Sequence, residues 1–470
     1  MQRLTGLDAS FLYFETSSQL LHVCALMTLD PSTVPGGYSF PKLRAALEER
    51  TENMPVFRRK LHNPPFNMHH PVWVEDDEFD IEHHVHHVAV PPPGGREELS
   101  ELCAHIAAQP MSRRRPLWEF HVIEGAADGS LVIVAKMHHA GIDGVSGASL
   151  MAYLASTEPD APLPILPEHQ RKNPGAPGPI DIVSHGIRGI ASRPVVAARL
   201  LREIAAPVPR FVMKAVRKEG MRIPFTAPRT SFNATITGRR SVAYCQAELD
   251  DVKKVKNAFG LTVNDVILAV CTGALRTYLA DRHELPRTPL LATIPVSVRG
   301  RSQRDDQGSN KVSSIFSSLP THLQDPADRL RYLADANRKA KEHHAMVPAD
   351  LLQDVAQFAS FGTLGLAVRA YSSLRLAERH PVIHNLVMSN VPGPPMPLYL
   401  LGSRITGMFP FGPVFHGAGL NITAISREGR IDFGIIAAAN LVPDAWPIAD
   451  AIPHALAELV RCTDTAPGAH

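Results

Sequence analysis

The sequence is poor in cysteine. Its 470 residues include five cysteines, scattered at positions 24, 103, 245, 271 and 462. The chain therefore lacks the C-x-x-C pairs that hold structural zinc or carry out thiol–disulfide exchange. A sparse, odd set of cysteines also argues against a disulfide framework, so we expect a protein of a reducing compartment.

The chain also lacks an excess of charge of either sign. Lys and Arg number 48 against 46 Asp and Glu, which leaves a formal net charge of +2. A charge this small gives no general attraction for nucleic acid, and we expect no nucleic-acid partner. Hydrophobic residues make up 44% and charged residues 20% of the chain, as in soluble globular proteins. The composition thus argues against a disordered chain and against a polytopic membrane protein.

Targeting and membrane-spanning patterns are absent from the sequence. Asp8 stands where a secretion signal would have its apolar core, so we expect no signal peptide and a cytoplasmic location. The charge-free stretches 381–403 and 405–426 are interrupted by Pro and Gly, and we predict buried strands and loops there. The chain has no Walker loop, and residues 144–148 depart from the G-x-S-x-G nucleophile motif at its last position.

Hydrophobic patterning predicts an α/β (α+β) protein with two structured regions. We assign residues 1–158 to the first region, 159–230 to a linker and 231–470 to the second region. The predicted elements are helices at 41–50, 97–109, 148–156, 250–259 and 264–279, strands at 80–90, 131–139, 289–298, 312–319 and 385–389, and a hairpin of 422–426 with 431–438.

The linker is rich in proline at its start and in basic residues further on. Over 170–230, 12 Lys and Arg stand against 3 Asp and Glu. Apolar and basic side chains separate onto opposite faces of a predicted helix around 196–204 and again around 212–218. The basic amphipathic segment 182–218 fits a peripheral contact with an anionic membrane surface, and equally a crossover helix packed on the protein itself.

The most informative motif lies at residues 136–144. A mostly apolar strand ends in His138 and His139, and a glycine-containing turn with Asp143 follows. Ligands bind at such strand ends in α/β sheets, and alternation places the two histidines on opposite faces. A histidine there can act as a general base, because its ordinary pKa of about 6.5 suits proton transfer near neutral pH.

Other interpretations of the histidine pair stay open at this level. Paired histidines are often structural, and adjacent histidines on opposite strand faces chelate a metal poorly. Asp143 can hold an imidazole tautomer or stabilise the turn through an ion pair. Histidines 83, 84, 86 and 87 form a second group in which alternate residues share a strand face. A metal cluster there is one interpretation, and packing is the favoured one.

The pattern His-His-x-x-x-Asp-Gly at residues 138–144 resembles the active-site motif of the bacterial wax ester synthase/diacylglycerol acyltransferase family, within the CoA-dependent acyltransferase superfamily. Further segments resemble blocks of that family in the same order: 4–12, 116–119, 263–266, 295–299, 310–313 with 319–320, and 389–394. The histidine motif is shared across the superfamily, whereas this ordered set is much more specific. The resemblance spans nearly the whole chain.

The resemblance implies two chloramphenicol-acetyltransferase-like halves with a central substrate tunnel and His139 between them. It implies an O-acyltransferase that moves a long-chain acyl group from acyl-CoA to diacylglycerol, giving triacylglycerol, or to long-chain alcohols, giving wax esters. His139 is the implied general base. The resemblance implies neither a cofactor nor a metal, since acyl-CoA is a substrate. A peripheral position on the inner face of the plasma membrane or on a lipid droplet is expected because the acceptor is membrane-borne.

The resemblance also implies roles for residues around His139. His138 supports the site, and Asp143 has a structural role, paired with Arg299. Gly144 completes the motif.

Asn264 and Asp265 belong to the block at 263–266. Asn264 is our candidate for a polar group near the oxyanion, and a helix-capping role is the alternative.

Three alternative functions remain from the sequence. The first is an acyltransferase of the same fold that uses another acceptor or a carrier-protein donor. The second is a catalytically silent lipid-binding homologue, against which the complete histidine motif argues. The third is a histidine-rich metal hydrolase, the least favoured. The oligomeric state, the chain-length preference and the main product stay open.

Overall fold

The computed structural model describes residues 2–52, 54–63, 70–141, 154–160, 224–297, 312–344 and 361–464. Asp143, Gly144 and Arg299 lie outside these residues, as do the basic segment 182–218 and most of the linker. The roles given to them above therefore stay predictions.

The first half of the chain alternates short helices and strands. Its elements are β1 (Gln2–Arg3), α1 (Gly6–Phe14), β2 (His22–Asp30), α2 (Phe40–Glu52), α3 (Pro55–Arg58), β3 (Arg59–His62), β4 (Val72–Glu75), β5 (Val85–Ala89), α4 (Arg96–Ala108), β6 (Trp118–Glu124), β7 (Leu131–His138) and β8 (Ala155–Ser156).

The second half has longer helices. Its elements are β9 (Arg240–Glu248), α5 (Leu249–Phe259), α6 (Val263–Asp281), β10 (Leu290–Ser297), β11 (Val312–Leu319), α7 (Pro326–His344), α8 (Phe361–Ser373), β12 (Leu386–Pro392), β13 (Tyr399–Leu400), β14 (Ser403–Phe411), β15 (Leu420–Arg427), β16 (Arg430–Ala438) and α9 (Trp446–Thr463).

Most predicted elements are present, with boundaries shifted by a few residues. The charge-free stretches 381–403 and 405–426 contain the buried strands expected there. The end of the helix predicted at 148–156 is wrong, because residues 155–156 form strand β8. This strand pairs with β13, more than two hundred residues later in the sequence. Such distant pairing overrides local propensity. The predicted strand at 80–90 begins with a 3₁₀ turn at Ile81–His83 and becomes extended from Val85.

The strands of the described residues form three sheets. A seven-stranded sheet has the order β5-β6-β7-β2-β14-β13-β8, a six-stranded sheet has the order β11-β10-β12-β15-β16-β9, and a small sheet joins β1, β4 and β3. The seven-stranded sheet is shared between the two halves, because β13 and β14 come from the second half and β14 pairs antiparallel with β2. The two halves are thus joined by backbone hydrogen bonds.

Strand β7 is buried on both faces and separates two hydrophobic clusters. Ile133 and Met137 pack in one cluster with Ile425 from the second half. Val132 and Val134 point the other way and pack with α4 and with strands of the six-stranded sheet. The alternation expected from sequence is therefore present. Both faces of β7 therefore contact residues of the second half.

Helix α6 is the apolar helix predicted at 264–279. It is the one helix among the described residues that is long and apolar enough to cross a membrane, but 72% of that stretch is buried inside the protein. Its N-cap is Thr262, whose side chain accepts from the N–H of Asp265, while the Asp265 carboxylate accepts from the N–H of Thr262. This capping box starts the helix, and its burial makes it a core element.

A buried ion pair connects β14 to the six-stranded sheet. Asp432 on β16 has no exposed surface, and its Oδ2 accepts from Arg427 Nε at 2.6 Å and from the N–H of Met408 on β14 at 2.7 Å. Arg427 also donates to the carbonyls of Ile405 and Thr406, beside the bulge in β14. These bonds hold the shared strand against the second half.

We expect Asp432→Ala to destabilise the protein strongly, because it leaves the Arg427 guanidinium buried without its counter-charge. The expected loss in the free energy of unfolding is about 3–5 kcal/mol, measured by urea denaturation. Asp450→Ala is the control, since Asp450 pairs with Arg96 at a position where both side chains are about half exposed, and it should change little. Equal urea midpoints for the two variants would contradict this prediction.

Candidate active site

His139 lies immediately after β7, at the first position of a 3₁₀ turn formed by His139–Gly141. Its backbone N–H donates to the carbonyl of Leu21 at 2.9 Å, so the residue before β2 fixes the backbone there. Its ring stacks on that of Phe11 from α1, with centroids 4.3 Å apart and planes inclined by 14°. The backbone and the ring of His139 are therefore both held in place.

The His139 imidazole is neutral at neutral pH. Burial lowers its pKa to about 4, and the neighbouring His138 contributes in the same direction. Its Nδ1 atom is buried and has no hydrogen-bond partner within the described part of the chain. A neutral imidazole is the form that accepts a proton, as a general base must.

His138 is buried on the other side of the strand end. Its Nδ1 accepts from the N–H of Ala140 at 3.0 Å, so in the neutral form its proton is on Nε2. That Nε2 lies 3.5 Å from Oε1 of Glu15. His138 thus connects the turn that carries His139 to a carboxylate.

Glu15 is the central acceptor of a buried polar network that the sequence did not reveal. Oε1 lies 3.3 Å from Nε2 of His22, and Oε2 accepts from the Arg113 guanidinium at 2.6 Å. Burial alone would raise the pKa of Glu15, but its bonds to His138, His22 and Arg113 outweigh burial and hold the pKa far below its ordinary value. Glu15 is therefore a carboxylate beneath the histidines.

Helix α1 supplies both contacts to the histidine pair. Phe11 stacks on His139, and Glu15, four residues later at the C-cap, meets His138. Residues spaced i and i+4 lie on the same face of a helix. This spacing was the available sequence signal for Glu15, whereas His22 and Arg113 reach the network only through tertiary structure. His22 is the cross-strand partner of His138 in the β2–β7 ladder.

Asn264 and Asp265 differ in their surroundings. The Asn264 Oδ1 accepts from Nδ2 of Asn390 on β12 at 3.3 Å, which joins the sequence blocks 263–266 and 389–394. Asp265 is buried and accepts from Nδ2 of Asn337 at 2.9 Å as well as from Thr262. Asp265 rather than Asn264 takes part in the capping box, so the alternative capping role considered for Asn264 is wrong.

The sequence block 116–119 serves packing. The buried Trp118 donates from Nε1 to the carbonyl of Phe57 at 3.0 Å, and the Leu117 carbonyl accepts from the N–H of His138 at 3.0 Å. His84 stacks on Trp118, and its Nδ1 lies 2.8 Å from the Trp118 carbonyl. The Pro-Leu-Trp block thus supports the end of β7, and His84 has the packing role favoured from sequence.

Comparison with known proteins gives consistent matches over the whole chain. The wax ester synthase/diacylglycerol acyltransferase catalytic domain matches residues 4–267, and the WS/DGAT C-terminal domain matches residues 308–460. A Mycobacterium tuberculosis protein that carries the name diacylglycerol O-acyltransferase is 45% identical over 468 residues, which is 99% of this chain and 92% of that protein. A second M. tuberculosis protein of that name is 36% identical over 97% of this chain and 99% of its own length.

Solved structures agree with these matches. The wax ester synthase/diacylglycerol acyltransferase from Marinobacter aquaeolei VT8 superposes with a TM-score of 0.71 at 30% identity, covering 99% of this chain and 100% of that chain. The first condensation domain of the calcium-dependent antibiotic synthetase, at 13% identity and a TM-score of 0.54, covers 98% of this chain and 96% of its own and shares the fold alone. The expected α/β fold of two chloramphenicol-acetyltransferase-like halves is confirmed. The chain belongs to the wax ester synthase/diacylglycerol acyltransferase family.

Proposed function

We propose that this chain transfers a long-chain acyl group from acyl-CoA to diacylglycerol, to long-chain alcohols, or to both, with His139 as the general base. The observation that carries the proposal is the neutral imidazole of His139, held at the end of β7 on the turn of the complete family motif. Membership of the acyltransferase family supports the type of reaction.

In the proposed reaction, His139 takes the proton of the acceptor hydroxyl as the oxygen attacks the thioester carbonyl of acyl-CoA. The tetrahedral intermediate then collapses, the C–S bond breaks, and the imidazolium returns the proton to the sulfur, so CoA leaves as its free thiol. No covalent enzyme intermediate forms. The face of the Phe11 ring carries partial negative charge and lies against the imidazole, where it stabilises the transient positive charge.

The oxyanion of the intermediate requires hydrogen-bond donors that are already in place. We propose Asn264 as one of them. Its Oδ1 is occupied by Asn390, and this bond orients the side-chain amide so that Nδ2 remains as a donor. The predicted structural pairing of Asp143 with Arg299 and the place of Gly144 in the motif belong to the same proposal.

The proposal needs no cofactor and no metal, because acyl-CoA carries the activated acyl group. We propose a cytoplasmic protein that binds peripherally to the inner face of the plasma membrane or to a lipid droplet, since the acceptors reside there. The basic segment 182–218 is the proposed contact with anionic lipid.

Release of free thiol tests the reaction. We expect CoA to be released from palmitoyl-CoA when diacylglycerol or a long-chain alcohol is present, and not without an acceptor. His139→Ala should lower the rate by roughly two orders of magnitude or more, because general-base assistance contributes about 10²–10⁴-fold. His62→Ala, at an exposed position at the end of β3, is the control and should leave the rate unchanged. Full activity of a folded His139→Ala protein would refute the assignment.

Glu15 is expected to act as a positioning residue. Glu15→Gln removes the charge that pairs with Arg113 and weakens the contact with His138, so the turn after β7 loses part of its support. We expect kcat to fall about tenfold to a hundredfold while the KM for acyl-CoA changes little, because misplacement of a catalytic group lowers the rate more than substrate binding. The matched control is Glu82→Gln, whose side chain is 64% exposed. An unchanged kcat, or a change confined to thermal stability, would contradict the positioning role.

Sedimentation with liposomes tests the proposed membrane contact. Replacing Arg199, Arg202, Lys214 and Arg217 with Glu should reduce sedimentation with vesicles that contain anionic phosphatidylglycerol, since each basic residue near such a surface contributes about 1 kcal/mol. Neutral phosphatidylcholine vesicles are the control. Binding of the variant equal to that of the wild type would reject the contact while leaving the chemistry untouched.

A further inference from the structure

A cluster of three metal-ligating side chains lies on the outer strands of the seven-stranded sheet. His86 is on β5, and Glu119 and His121 are on β6. One ligand atom from each of the three lies within 4.8 Å of those from the other two. The acyl-transfer mechanism uses none of these residues, so the cluster needs its own explanation.

The sheet holds the three side chains together. His86 and His121 are direct partners in the parallel β5–β6 ladder, and their ring centroids are 4.7 Å apart. Glu119 precedes His121 by two residues and therefore projects from the same face. Its Oε2 is 3.4 Å from Nε2 of His121. Ligands on neighbouring strands of one sheet are positioned before any ion arrives, which lowers the entropic cost of binding.

The ligand chemistry suits zinc. Two imidazoles and one carboxylate form a set that zinc takes in tetrahedral sites, with bonds of about 2.0–2.2 Å and a water at the fourth position. The side chains of His121 and Glu119 are 15% and 21% exposed, so an ion can enter and keep a water ligand. The ligand atoms lie within 4.8 Å of one another, so binding of an ion would have to draw them closer together.

Among the described residues that contact this cluster, Lys136 is the one whose positive charge opposes binding of a cation. Its Nζ donates to the carbonyl of Gln109 at 2.7 Å and lies 3.3 Å from Oε2 of Glu119. The Gln109 carbonyl holds the ammonium at the end of α4, and the lysine shares Oε2 of Glu119 with His121. The lysine charge weakens the site, and it does not occupy the ligand positions of the two histidines.

We propose that His86, Glu119 and His121 form a zinc-binding site, with water as the fourth ligand. This site is separate from the acyltransfer chemistry, and the proposal holds or fails independently of it. From the sequence, metal binding was considered for the pair His138 and His139 and for residues 83–87. The structure instead combines one histidine of that segment with two residues of the next strand.

Metal titration of the untagged full-length chain, stripped with a chelator, tests the site. We expect one zinc per chain by isothermal titration calorimetry, and a visible absorption band typical of four-coordinate cobalt when Co²⁺ is the probe. His86→Ala and His121→Ala should each weaken binding by more than about tenfold and remove the cobalt band, since loss of even a supporting residue costs that much.

The matched controls come from the same segment. His83→Ala and His87→Ala replace side chains that are 45% and 44% exposed and belong to no such group, and both should bind as the wild type does. Wild-type binding that persists in the His86→Ala/His121→Ala double variant would overturn the proposal, as would the absence of binding by the wild-type chain. Circular dichroism of each variant separates loss of the site from loss of the fold.

Discussion

A carboxylate in the protein interior needs compensating charge and hydrogen bonds, and Glu15 is paired with the Arg113 guanidinium and contacted by His22 and His138. This requirement couples elements that are distant in sequence. The C-cap of α1 must meet the first residue of β2 and the last residue of β7. These contacts fix the position of the turn after β7, and the His139 ring on that turn lies against Phe11.

The sequence predicted the parts of the site that are local. The apolar run into β7 and the alternation of its faces predicted where His138 and His139 lie, because side-chain direction in a strand follows from position alone. The network around Glu15 could not be predicted in this way, since it depends on the register between β2 and β7. The same reason explains β8, whose two residues are extended because of a distant partner. Asp143, Gly144 and Arg299 lie outside the described residues, and their roles rest on the motif.

Two properties of His139 follow from the same burial. Removal from water lowers its proton affinity, which keeps the imidazole ready to accept a proton over a wide pH range. It also makes the protonated state costly, which in the proposed reaction favours return of the proton to the departing sulfur. The stacked Phe11 ring limits how unfavourable the charged state becomes. The environment, rather than the residue type alone, suits the side chain to a reaction in which the proton is held only briefly.

The exchange of β14 into the first sheet links the site to the completion of the chain. During synthesis β2 leaves the ribosome long before residues 403–411, and until those residues arrive one edge of β2 has unpaired N–H and C=O groups. The same strand begins beside the Leu21 carbonyl that fixes the backbone of His139. A nascent chain therefore holds its histidine motif on an unfinished sheet. A chain that ends before residue 403 cannot complete this sheet, and it leaves that edge of β2 open to pairing with other chains.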